Sequence, residues 1–106
     1  MGNRVEIENI EEKQRAVGIE DVVLREDIRL LVASDLVKLT LLTGPPAFAA
    51  ETVLVRITSI RGPAFRGKLV RKPVSTGLSR LGAGSPVAFT AAHIHSLPSG
   101  RETDER

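Results

Sequence analysis

The sequence predicts a mainly β protein in which one or two N-terminal helices lead into a small five-stranded barrel. Three observations carry that expectation. The apolar spacing is helical before about residue 33 and alternates in twos after it. The strand-like segments are short and separated by Gly- and Pro-containing turns. The 106-residue chain is 42% hydrophobic but has three Phe, no Trp and no Tyr, so one aliphatic core must hold it.

In chain order, "VEIENIEEKQRAV" puts Ile7, Ile10, Gln14 and Val17 near helical spacing, which predicts a weakly amphipathic helix from Val5 to Val17 stopped at Gly18. A second short helix, "LREDIRLLV", places Leu24, Ile28 and Leu31 on one side, and "ASD" reads as a turn. In "LVKLTLL", Val37, Leu39 and Leu41 face inward while Lys38 and Thr40 face out. "TGPPAFAAE" is a loop, because Gly-Pro-Pro cannot continue a central strand. "TVLVRITSI" buries Val53, Val55 and Ile57, and "RGP" turns the chain into "AFRGKLVRK", where Phe65, Gly67 and Leu69 share a face. "PVSTGLSRLGAGS" reads as a long irregular loop. "PVAF" is a strand with Val87 and Phe89 inward, "TAAH" a single helical turn capped by Thr90, and "IHSL" a last short strand.

This order matches a Src-homology-3-like barrel, a closure that removes exposed edges from so small a sheet. A five-stranded oligonucleotide/oligosaccharide-type barrel and an open meander carrying a helix are the alternatives. The expected division is a helical segment at 1–33, a barrel at 34–98 and a disordered charged tail at 99–106.

Several segments together resemble a bacterial family of small domains of unknown function. Its pattern runs Gly-Asp-x-Val-Lys-Leu, then Gly-Asp-x-Val-x-Phe, then His-Ile. "REDIRLLVASDLVKL", "VLVRITSIRG", "RGKLVRKPV" and "LGAGSPVAFTAAHIHSL" fill its slots in order, over about Leu24 to Leu97. Both Gly-Asp turns depart from the pattern, with Ser34 in place of the first Gly and Ser85-Pro86 following Gly84 where Asp is usual. The resemblance implies the barrel and implies no activity.

Charge is the most distinctive feature. The net charge of +2 conceals a first half, to Glu51, with ten acidic and six basic residues. From Thr52 to Arg101 there are eight basic residues and no acidic ones. Arg56, Arg66 and Lys68 alternate with inward residues, so with Arg71 and Lys72 they form a candidate anion- or partner-binding stripe on the outer face. The competing reading is that the acidic N-terminal segment lies over this stripe.

His93 and His95, the only histidines, would share a side if the segment were extended. Zinc needs three or four ligands, and the nearest carboxylates after Asp35 and Glu51 are in the loose tail, so strand-end structure is the favoured reading. Gly77, Gly82 and Gly84 lack the Gly-Lys-Ser/Thr ending of a phosphate loop. No nucleophile elbow accompanies the serines. With no cysteine, disulfides and thiolate chemistry are excluded. The start is too acidic for a secretory signal, Glu6 breaks the myristoylation pattern, and no apolar run spans a bilayer, so a cytoplasmic location is expected.

The expected function is a noncatalytic protein-interaction or accessory module without a cofactor, binding a protein partner. The alternative is an electrostatic, sequence-nonspecific nucleic-acid binder. Against nucleic acid stands the scarcity of stacking aromatics, and the same scarcity argues against a proline-peptide groove.

Overall fold

A computed structural model describes residues 5–43 and 50–98. Among the described residues, six strands, two α-helices and two 3-10 turns follow one another. The strands are β1 (Val5–Ile7), β2 (Leu36–Thr43), β3 (Ala50–Arg61), β4 (Ala64–Leu69), β5 (Pro86–Thr90) and β6 (Ile94–Ser96). The helices α1 (Ile10–Ala16) and α2 (Val22–Ile28) lie between β1 and β2.

All strand pairs are antiparallel. β2 pairs β3 along nearly its whole length, from Leu36↔Arg56 to Leu42↔Ala50. The sheet continues through β4 to β5, and a 3-10 turn at Ala91–His93 then carries the chain into β6. β6 returns to β2 at Lys38 and Leu39, which nearly closes the barrel. β1 extends the same edge of β2 at Leu41 to Thr43. The fold is thus the expected mainly β protein with N-terminal helices, consistent with a small Src-homology-3-like barrel and carrying one strand more than the five foreseen.

That extra strand corrects the helix expected from Val5 to Val17. β-branched Val5 and Ile7 form a strand because the edge of β2 offers their backbone groups partners, with Glu8 N–H adding a bond to Thr40 O at 2.8 Å. The helix starts only where Asn9 caps it, its side chain accepting from Glu12 N–H at 2.8 Å. Gly18 ends it with φ at +76°, as expected of a glycine stop. In α2 the Asp21 side chain accepts from Leu24 N–H, so this helix begins and ends earlier than "LREDIRLLV". The stretch 44–49, most of the expected Gly-Pro-Pro loop, and the tail 99–106 lie outside the described residues.

The core is aliphatic, as composition requires. Val37, Leu39, Leu41, Val53, Val55, Ile57, Leu69 and Phe89 are buried with Leu24, Ile28 and Ile94 in one cluster, and Val87 packs half-buried against it. Alternate burial along β2, β3 and β4 fixes their register. Phe65 and Phe89 stack with ring centroids 5.3 Å apart. Thr40, expected to face solvent, is buried and shares a 2.9 Å hydroxyl hydrogen bond with Thr52 across the strands.

The loop after β4 is more ordered than its composition suggests. Leu78 sits in a 3-10 turn, Thr76–Leu78, and is 1% exposed. The Glu51 carboxylate accepts the N–H groups of Val74 and Ser75, each at 2.9 Å. Lys72 Nζ donates to Ser79 O at 3.0 Å and to Leu81 O at 3.3 Å. A loop pinned by a buried leucine and two charged side chains is a built part of the barrel.

Two turns have matching chemistry. In Val32–Asp35 the third residue, Ser34, has φ at +81°, and the Asp35 carboxylate accepts from Val32 N–H at 2.9 Å. In Gly82–Ser85 the third residue, Gly84, has φ at +88°, and Ser85 Oγ accepts from Gly82 N–H at 2.9 Å. Each turn then exchanges two backbone bonds with a strand, the first at Ile57 and the second at Leu69. In the second turn the hydroxyl of Ser85 thus makes the bond that the Asp35 carboxylate makes in the first.

Candidate functional site

The expected basic stripe divides in the structure. Arg56 and Lys68 are Cα partners across β3 and β4, and Arg66 lies two residues before Lys68 on the same exposed face. Alternation forces this, since Val55, Ile57, Phe65, Gly67 and Leu69 occupy the inward positions. Arg56 is held by a 3.1 Å bond from Nη1 to Ser34 O, so the first turn of matching chemistry also positions a cation. Arg66 and Lys68 flank a groove of about 470 Å³ lined by Thr58, Gly67, Pro86, Val87 and Ala88.

Arg71 and Lys72 do not join this face. They follow β4 and line a separate depression of about 410 Å³ with Lys38, Glu51 and Val74. Lys72 is occupied by the two loop carbonyls, so its charge serves the fold. Of the five stripe residues, the structure brings together three.

Nor does the acidic segment cover them. Ion pairs among the described residues join Lys13 to Glu8 at 3.2 Å and Arg25 to Glu11 at 3.5 Å, both within the N-terminal region. α1 packs against the 3-10 turn at Ala91–His93, and Arg56, Arg66 and Lys68 remain exposed. The cause is the capping and burial of Ile10, Leu24 and Ile28, which anchor both helices by apolar contacts rather than by charge.

The histidines do different things. Thr90 N–H donates to His93 Nδ1 at 3.0 Å, closing the predicted helical turn, and burial pushes the His93 imidazole below its ordinary pKa. His95 is exposed on β6, with Nδ1 2.9 Å from Ser96 Oγ. With His93 inside a 3-10 turn, the segment is not the continuous strand that would align the two rings. Among the described residues, no three His, Cys, Asp or Glu side chains gather as a metal site would require. The N–H groups of Gly82 and Gly84 are spent on Ser85 Oγ and Leu69 O, which leaves no phosphate cradle there.

One surface went unforeseen. Val17, Ile19, Val22, Val23, Leu30 and Val32 are all more than half exposed around α2. The sign was present in "VVLREDIRLLV", which has more apolar residues than one buried helix face needs.

No helix among the described residues is long and apolar enough to cross a membrane. Comparison of the chain with protein-family models, curated proteins and solved structures returns no match.

Proposed function

We propose that this barrel is a noncatalytic interaction module whose β3–β4 face binds an acidic protein surface. The observation that carries the reading is the trio Arg56, Arg66 and Lys68, exposed together beside a groove partly lined by Pro86, Val87 and Ala88 and without an acidic neighbour among the described ion pairs. Guanidinium forks suit carboxylates bidentately, and the apolar side chains of the groove add contact area that a phosphate backbone would not use. In this reading the resemblance to small bacterial domains of unknown function supports the fold alone.

A sequence-nonspecific nucleic-acid binder is the second reading, favoured by the same uncovered cations. Anisotropy titrations of an acidic polypeptide (poly-glutamate) and of a DNA duplex separate the two. Binding of the polypeptide, weakened by Arg66→Glu, supports a protein partner. With Lys72 committed to the loop, three phosphate contacts would instead give a logarithmic salt slope of about −3 on the duplex. Binding of neither at low salt would refute both.

A further inference from the structure

The exposed apolar residues around α2 are interleaved with four acids and two arginines, Arg25 and Arg29, and two of the acids come just before the helix. Between Ile19 and Val23 the chain reads Ile-Glu-Asp-Val-Val, and Glu26 and Asp27 follow on the same helix. Single exposed valines are ordinary on a protein surface, whereas six large apolar residues more than half exposed between positions 17 and 32 are a candidate contact surface. Two copies meeting through the segment Ile19–Val23 itself would set Glu20 and Asp21 against the same acids of the other copy. The complementary chemistry lies elsewhere on the chain, in the groove that Arg66 and Lys68 line together with Thr58, Gly67, Pro86, Val87 and Ala88.

We propose that the chain associates with itself head to tail, the acidic-apolar segment Ile19–Val23 of one copy seating in the Arg66–Lys68 groove of the next. The proposal rests on the reading of the basic face as an acceptor of acidic protein surface, and it names the partner as a second copy. Val22 and Val23 supply the apolar contact, and Glu20 faces the flanking cations. Because the two surfaces differ, the contact is heterologous: it generates rings or open chains rather than closed two-fold dimers. Its rim charges are solvent-exposed, so salt weakens it.

The test is sedimentation velocity on the full chain from about 10 µM to about 1 mM, a range that reaches weak interfaces. At low salt the wild type forms a concentration-dependent series beyond the dimer, which added salt reverses. Two double variants each block one surface: Val22→Ser with Val23→Ser, and Arg66→Glu with Lys68→Glu. All four residues are exposed, and far-UV circular dichroism checks that both proteins fold. Each variant alone is monomeric, and their mixture forms 1:1 heterodimers that grow no further, because each contributes one intact surface. A wild type monomeric at about 1 mM in low salt, or a mixture that does not pair, overturns the proposal. Should either valine double variant or charge double variant still form the series alone, the stated contact is likewise wrong. Poly-glutamate binding retained by a strictly monomeric wild type would overturn self-association and leave the acidic-partner reading standing.

Discussion

Gly67 offers the sharpest test of the barrel, because its missing side chain is what lets β3 and β4 approach. A Cβ there would lie 2.6 Å from the Arg56 carbonyl oxygen and 2.6 Å from Val55 Cγ1. Carbon atoms rest at about 3.5–4.0 Å, so the overlap is on the order of 1 Å. The carbonyl belongs to the middle of β3, which is paired on both sides and cannot yield without disturbing the Leu36↔Arg56 and Arg56↔Lys68 register. Overpacking costs about 1–3 kcal/mol, and obstruction by backbone puts Gly67→Ala at the upper end of that range. Restricting the unfolded chain returns about 0.4–1 kcal/mol, leaving a net loss of about 2 kcal/mol. That is a large part of the roughly 5–15 kcal/mol that holds a domain together, and it lowers Tm by about 10 °C. With no Trp or Tyr to report by fluorescence, urea unfolding is followed by far-UV circular dichroism. Gly82→Ala is the control, since its Cβ would meet nothing within 4 Å and its φ is not among the positive values. A Gly67→Ala protein within about 0.5 kcal/mol of the wild type would refute the packing argument.

The two matching turns predict opposite responses to substitution. Ser34→Gly relieves a positive φ and raises stability by a few tenths of a kcal/mol or more, whereas Gly84→Ala, forced to φ +88°, lowers it by about 1 kcal/mol. Replacing His93 by Gln removes the ring nitrogen that accepts Thr90 N–H and costs about 1 kcal/mol in urea unfolding, while His95→Gln is neutral. Acid weakens the fold in two windows. Burial lowers the His93 pKa, so its contribution is complete above the ordinary value of 6.5 and is lost as pH falls through the lowered one. The Val74 backbone N–H, opposed by burial and reinforced by Ser75, lowers the Glu51 pKa, so its contribution is complete above 4.5 and lost below. Urea midpoints measured against pH should therefore lose the upper step in His93→Gln and the lower step in Glu51→Gln.

How far the fold was readable depended on whether local pattern and tertiary demand agreed. In β2 to β5 they agree. Period-two alternation in a chain with one core admits a single register, so Val37, Val55 and Leu69 were placed from spacing alone. At the N-terminus they conflict. "VEIENIEE" carries helical spacing, yet three of its residues complete the edge of β2, a demand that exists only once β2 is formed. Leu78 escaped for a similar reason. Its neighbours are Gly, Ser and Arg, a loop composition, and the loop that buries it is held by Glu51 from far along the chain and by Lys72 just before it.

The site shows the same boundary between what alternation fixes and what contacts decide. Outward direction followed from the sequence for Arg56, Arg66 and Lys68, because each sits between inward residues of a strand. It did not follow for Lys72, which lies past the last paired residue of β4, where no period constrains it. There the choice between solvent and fold turns on local acceptors, and the carbonyls of Ser79 and Leu81 capture the ammonium. The acidic segment likewise failed to cover the stripe because its position is set by Ile10, Leu24 and Ile28 entering the core, and exposed ion pairs contribute only about 0–1 kcal/mol each. Apolar burial thus decides where charge ends up. Within this one chain it leaves an acidic-apolar surface and a basic groove uncombined, and complementary surfaces that cannot meet within a copy remain available for a contact between copies.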